Sequence, residues 1–338
     1  MATRAGNYTI LFDTPPSVTS SAAVVSKKEA EGPLAEYFDL LNDDAMFGQK
    51  TWEMAESRMQ QQALEIALKK CSLSPADINY IFAGDLLNQC IGSHYGLRES
   101  GIPFIGLYGA CSTMAESLAL ASIFVDGGYA KNTAAVTSSH FCAAERQFRF
   151  PLSYGSQRTP TSQWTATGAG AVIVGKNDIP PFVRAVTIGS IDDKGICDIN
   201  NMGAAMAPAA AQTLSQFFAD TMTNEKNYDM IFTGDLAVVG SELLYELMKR
   251  DGYDIEANHS DCGLMIYDRD NQKVNAGGSG AGCSASVLCS YIIPLMRKGQ
   301  LNDVLFIATG ALMSTVSIQQ SQSIPAVAHL IYLSTKPN

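Results

Sequence analysis

The chain has 338 residues, 46% of them hydrophobic and 17% charged, with a formal net charge of −10. That length exceeds what one hydrophobic core usually supports, so two similar halves or one large layered α/β unit are expected. The acidic balance argues against nucleic acid and against non-specific adhesion to anionic lipid, so an anionic ligand must meet a local basic patch.

The first ten residues lack the apolar core of a signal peptide, and no run approaches the roughly 20 apolar residues that span a bilayer. A soluble chain, peripheral to a membrane at most, is expected. Residues 13–50 open with Asp13-Thr-Pro-Pro16 and a Ser/Thr-rich stretch, then turn acidic, and read as a surface-wrapping arm. From Thr51, an N-cap residue, the apolar positions Trp52, Ala55, Met59, Ala63, Ile66 and Ala67 step by three and four, which predicts a helix to about Cys71. A turn at Ser74-Pro75-Ala-Asp77 precedes a short buried strand, Asn79 to Ala83, ending at Gly84-Asp85. A helix through Leu87–Arg98, a strand over 103–108, a helix from Cys111 and a strand over Thr133–Thr137 continue a βα rhythm, the mark of a mainly parallel sheet.

Residues 139–167 break that rhythm and carry Arg146, Arg149, Arg158 and Trp164. Gly168–Gly175 reads as a further strand, and Ile179-Pro-Pro181 as the boundary between halves, 1–178 and 179–338. The second half repeats the first. Ile81-Phe-Ala-Gly-Asp-Leu86 returns as Ile231-Phe-Thr-Gly-Asp-Leu236, the turn at Cys111-Ser112 as Cys283-Ser284, and Thr137 as Thr309. Three matches in the same order indicate a duplicated βαβ-type unit, with an insertion between Asp235 and Cys283. Two such halves bring helix N-termini to a shared centre, beyond the strand C-termini where open parallel sheets bind ligands.

Gly109-Ala110 allows a tight turn, so Cys111 sits where a strand turns into a helix N-terminus. Such a position lowers a thiol pKa below its ordinary ~8.5 and favours a reactive thiolate. The alternative is a small, buried, inert hydrophobe. The eight cysteines show no C-x-x-C spacing and only four histidines accompany them, so reduced thiols and no metal site are expected.

The elbow cysteine, the duplicated halves and the run Ala276-Gly-Gly-Ser-Gly-Ala-Gly282 resemble the thiolase superfamily, which includes the ketoacyl-synthase condensing enzymes. Within it the chain is more similar to the stage V sporulation protein AD family of spore-forming bacteria. The segments Glu29-Ala-Glu-Gly-Pro-Leu34, Ala83-Gly-Asp-Leu-Leu-Asn-Gln89, Gly106-Leu-Tyr-Gly-Ala-Cys-Ser-Thr113, Tyr154-Gly-Ser-Gln-Arg158, Asn201 to Ala211 and Asp261 to Arg269 carry that likeness. The resemblance implies a five-layer αβαβα thiolase-like fold, a homodimer, and a soluble dipicolinate-binding subunit of the channel complex that moves dipicolinic acid during sporulation and germination. It also implies other stage V sporulation A membrane proteins as partners, at the inner spore membrane.

The same resemblance locates a catalytic histidine just after the strand that ends at Thr233-Gly-Asp-Leu236, and an Asn or His in the run Gly277-Gly-Ser-Gly280; neither is present. Losing an acid/base partner costs roughly 10²–10⁴-fold, so Cys111 reads as a vestigial nucleophile. His140 is a loop histidine near the expected pocket. For a planar aromatic dianion, the guanidinium forks of Arg146, Arg149 and Arg158 suit the carboxylates, unless they pair with acidic residues. Asp85 and Asp235, the symmetric pair, act either as helix caps or as ligands of a Ca²⁺ brought with dipicolinate. Ser139 and Ser279 join these candidate ligand contacts, and no other cofactor is expected. The leading expectation is therefore a non-catalytic binding subunit. The alternatives are an acyltransferase or condensing enzyme acting through Cys111, and a purely structural scaffold.

Overall fold

The computed structural model describes residues 2–148 and 158–337. Two sets of five strands carry the molecule. The first set is β1 (Ser17–Ser26), β2 (Tyr80–Gly84), β3 (Phe104–Gly106), β4 (Asn132–Ser139) and β5 (Gly168–Gly175); the second is β6 (Phe182–Ile188), β7 (Met230–Thr233), β8 (His259–Asp261), β9 (Asp303–Ala311) and β10 (Ala326–Ser334). In space the first five run β3-β2-β4-β5-β1 and the second five β8-β7-β9-β10-β6, the same order in each half. The first three strands of each series are parallel and the next two antiparallel. The halves meet through β1 and β6, antiparallel at Phe182 and Ser17.

Alternation along the strands explains the layers, because successive side chains point to opposite faces of a sheet. Ile81 and Ala83 of β2 pack against α1 (Trp52–Lys70), whereas Phe82 between them faces the central helix α2 (Thr113–Asp126). In the second half Ile231 packs against the outer helices α3 (Met202–Thr221) and α4 (Ala237–Arg250), and Phe232 faces inward toward α5 (Ala281–Val287). Helix, sheet, central helix pair, sheet and helix make the five layers αβαβα. Both sheets, covered on both faces, are accordingly rich in apolar residues throughout.

The expected arm over 13–50 is corrected by this arrangement. Its Ser/Thr-rich part is β1, a ten-residue strand with nine buried residues at the seam between halves. Small residues are what a strand pressed between helices on both sides accepts. The Ser20 hydroxyl donates to the carbonyl of Ala67 in α1 at 2.7 Å, and that of Ser21 to the carbonyl of Cys289 in the central layer at 2.9 Å. The expected helix over Leu87–Arg98 is shorter, Ile91–Leu97, because Gln89 and Cys90 take left-handed backbone angles.

Each central helix starts against the fourth strand of the other half. A Cβ on Gly310 of β9 would lie 2.0 Å from the Gly109 carbonyl oxygen before α2. A Cβ on Gly282 of α5 would lie 2.3 Å from the Gly168 carbonyl oxygen and 2.7 Å from Ser139 Oγ at the end of β4. This reciprocal crossing brings both halves to one centre.

Candidate functional site

The chain leaves β3 through Tyr108 and Gly109 and bends at Ala110, whose φ of 51° is left-handed. A non-glycine residue held there costs about 1–2 kcal/mol. The bend is fixed by a set of short bonds: the Ser112 hydroxyl donates to the Gly109 carbonyl and the Thr113 hydroxyl to the Ala110 carbonyl, both at 2.7 Å. The single 3-10 turn Ala110–Ser112 then runs into α2. Cys111 is thereby carried into a cavity of about 40 Å³ walled by Leu86, Tyr108, Phe148, Met202, Ser279 and Met313.

Asp235, following β7, reaches the same point. Thr309 of β9 donates its hydroxyl to Asp235 Oδ1 at 3.0 Å, while the Gly280 N–H and the Ser279 hydroxyl donate to Oδ2 at 2.8 and 3.1 Å. The Cys111 thiol lies against the same carboxylate. Burial pushes the Asp235 pKa up to about 6 despite these donors, which favour the charged form, and neighbouring Asp261 adds to the rise. Burial likewise pushes the Cys111 thiol well above its ordinary value, and the Asp235 charge and hydrogen bond push in the same direction. The sequence expectation of a lowered thiol pKa is therefore corrected. The helix N-terminus is present, but the thiol is desolvated and bonded to an anion, and both effects outweigh the dipole.

Cys111, Asp235 and Ser279 converge, and the other candidate residues lie elsewhere. Asp85 accepts from the Leu87 N–H at 2.9 Å and from both the N–H and the hydroxyl of Ser93 at 2.7 Å, so it caps its own half's helix. Ser139 joins the halves, donating to the Ala166 carbonyl at 2.6 Å and accepting from the Gly282 N–H at 3.0 Å. His140, expected on an exposed loop, is fully buried; its Nε2 bonds the Ala45 carbonyl at 2.8 Å, and burial lowers its pKa. Arg146 lies on the opposite side of the helix Phe141–Phe148, in a groove of about 540 Å³, paired with Glu53 and 5.2 Å from the Trp52 ring. Arg149 lies outside the described residues.

Arg158 pairs with Glu145 at 3.2 Å, donates to the Gln163 carbonyl at 2.7 Å, and has the Trp164 and Phe141 rings 5.2 and 5.6 Å away. Glu145 itself lines the Cys111 cavity, a place the sequence does not mark. Thr309 is visible in the sequence as the repeat of Thr137, but its bond to Asp235 is not. The strip Asn201 to Ala211 forms the start of α3; Met202 walls the cavity, and Gly203 lies so close to Gly240 that a Cβ would sit 2.8 Å from the Gly240 nitrogen. Among the described residues no group of three or more His, Cys, Asp or Glu is arranged to hold a metal ion.

The family model described as Stage V sporulation protein AD matches residues 6–334. The chain is also 46% identical over 324 residues to Stage V sporulation protein AD of Bacillus subtilis (strain 168), covering 96% of each chain. It belongs to the stage V sporulation protein AD family. Membership in that family gives the chain a role in sporulation. Its fold is shared with condensing enzymes: 3-oxoacyl-[acyl-carrier-protein] synthase III from Aquifex aeolicus VF5 superimposes with a TM-score of 0.58 at 13% identity, over 94% of this chain and 99% of that one. A point variant of OleA from Xanthomonas campestris gives a TM-score of 0.60 at 12% identity, over 96% of this chain and 99% of that one. At such identities the likeness is one of fold. Against that background, this stage V sporulation protein AD family member presents a thiol, a carboxylate and a hydroxyl at the elbow, and no histidine among the described residues that line the cavity.

Proposed function

We propose that the chain is a non-catalytic, dipicolinate-binding subunit of the spore channel complex that moves dipicolinic acid, with or without Ca²⁺, during sporulation and germination. The observation that carries the reading is the pairing of Cys111 with Asp235 in place of an imidazole. Burial and the Asp235 charge raise the thiol's own pKa and oppose thiolate formation, and no imidazole lines the cavity among the described residues to offset them, so in this reading the inherited elbow serves as part of a pocket wall. The cavity of about 40 Å³ has room for roughly one water, so a ligand of this size enters by moving its wall. Phe148, Met202 and Met313 are unbranched or planar side chains suited to that rearrangement. Glu145 in the wall brings the Arg158 guanidinium within one ion pair of an arriving carboxylate. Calorimetric titration tests the proposal: saturable heat with dipicolinate is expected, and none at roughly millimolar ligand overturns it.

The same proposal includes a homodimer. Strand β3 pairs on one side only among the described residues, with β2, and the large apolar side chains of Ile91, Tyr95 and Tyr108 are exposed. Light scattering that returns the mass of one chain would exclude it. A position beside other stage V sporulation A membrane proteins is part of the reading as well; no described helix is long and apolar enough to cross a membrane.

One observation favours a second reading, acyl transfer through Cys111: the strained bend at Ala110 holds the thiol in the cavity. Incubation with acyl-CoA donors and intact mass measurement would then show an adduct that is lost in Cys111→Ala.

A further inference from the structure

The charge inventory around Asp235 is unusual for a site meant to receive an anion. Its two oxygens accept from three donors, Thr309, Gly280 and Ser279, and the Cys111 thiol lies against them. A backbone N–H can only donate, and a carboxylate fed from every side is an acceptor throughout, which is the arrangement of an ionised group. Among the described residues, the groups facing it from neighbouring elements offer no compensating cation. Asp261, at the end of β8, is itself buried and takes the Thr233 hydroxyl at 2.6 Å and the Leu236 and Ala237 N–H groups at 2.8 and 2.9 Å. Cys262 and Cys283 are buried thiols whose pKa values burial pushes up. Gln163 donates to the Asp235 main-chain carbonyl at 2.6 Å. Across the cavity Arg158, the described arginine in reach of its wall, is engaged by Glu145.

The donors that would bind a ligand carboxylate beside Cys111 are thus already filled by a carboxylate belonging to the chain. We propose that Asp235 is the specificity-determining residue of the Cys111 cavity, an internal anion that a ligand carboxylate replaces at these donors only when Asp235 takes up a proton. This rests on the binding role proposed above and adds its control: capture of an anionic ligand is coupled to uptake of one proton. A neutral ligand meets no such requirement. Desolvation makes the proton easy to acquire, because the folded site already holds Asp235 near a pKa of about 6. Above that pH each unit lowers the protonated fraction, and with it anion entry, about tenfold.

The experiment compares an anionic with a neutral reagent at one thiol. Alkylation of Cys111 by iodoacetate and by iodoacetamide is followed by peptide mass spectrometry between about pH 5.5 and 7.5, and the ratio of the two rates cancels the thiolate fraction common to both. In the wild type the iodoacetate-to-iodoacetamide ratio is expected to fall by about tenfold or more across that range. In Asp235→Asn, which removes the charge, the ratio is expected to stay constant. Thr309→Val, which keeps Asp235 but removes one donor to Oδ1, is expected to move the midpoint of the fall to higher pH, and it serves if Asp235→Asn does not fold. A flat ratio in the wild type overturns the inference, as does an equal fall in Asp235→Asn. Dipicolinate calorimetry over the same range separates this from the binding role: a falling ratio without dipicolinate heat sinks the binding role and leaves the proton control standing, whereas dipicolinate affinity independent of pH sinks the proton control alone.

Discussion

The two halves share a strand order and an aspartate after the second strand, yet only one of those aspartates belongs to a site. Asp85 is saturated by its own half, through Leu87 and Ser93. Asp235 is saturated by the run before α5, by β9 and by the elbow of the other half, Cys111. The cysteines differ in the same way: Cys283 is sealed inside α5 with no exposed surface, whereas Cys111 stands on a strained bend at the cavity wall. The contrast shows how a duplicated fold can keep one copy of a motif as scaffold and make the other a pocket. Both aspartates draw their hydrogen-bond donors from their own half; what separates them is that Asp235 also stands against the Cys111 thiol of the other half.

The largest test of that interface is steric. Gly310→Ala places a Cβ 2.0 Å from the Gly109 carbonyl, with backbone on both sides unable to yield. It is expected to destabilise the fold by roughly 3 kcal/mol or more, measured by denaturant unfolding. A loss below about 1 kcal/mol would show that the halves do not cross so tightly.

Next come the two aspartates themselves. Asp85→Ala leaves the Leu87 and Ser93 donors buried without a partner, and should cost about 2–4 kcal/mol of stability while dipicolinate affinity stays within about twofold of the wild type. Asp235→Asn should reverse the pattern, with a smaller stability change and an altered pH dependence of binding. Matching effects in both variants would erase the distinction between scaffold and pocket.

Glu29 supplies a third comparison, because it joins the halves without entering the cavity. It accepts hydrogen bonds from the Thr167 N–H of the first half at 3.0 Å and from the Tyr267 hydroxyl of the second, and burial pushes its pKa up to about 7. Its folded pKa exceeds the unfolded value, so its contribution to stability is fully present below about 4.5 and is lost as the pH rises toward 7. Glu29→Gln should flatten the stability profile between those values by about 1.4 kcal/mol per pH unit, read from urea midpoints, and leave the profile outside the window unchanged.

Much of the architecture was legible because the repeat is written in the chain: six residues around Gly84-Asp85 and their copy around Gly234-Asp235 identify both second strands and both aspartates. Strand β1 was not legible, since small polar residues signal a loop by composition and only the helices pressed on both its faces make them a buried strand. The position of Cys111 followed from local turn chemistry. Its raised pKa did not, because desolvation and the approach of Asp235 are properties of the assembled halves. Arg146 and Arg158 look equivalent along the chain, and their separation depends on which face of the helix Phe141–Phe148 turns inward: Ala144 and Phe148 line the cavity, and Ala143, Arg146 and Gln147 line the groove outside.

That division between cavity and groove also gives the most direct test of the binding role. Ala144 is buried in the cavity wall, and Ala144→Leu adds about three carbon atoms to a space of about 40 Å³, at a cost in stability of roughly 1–3 kcal/mol. Dipicolinate is titrated calorimetrically into the wild type and into this variant after its folding is confirmed by thermal melting. Saturable heat in the wild type that weakens about tenfold or more in Ala144→Leu is the predicted result; equal binding in both proteins, or none in either, contradicts the account.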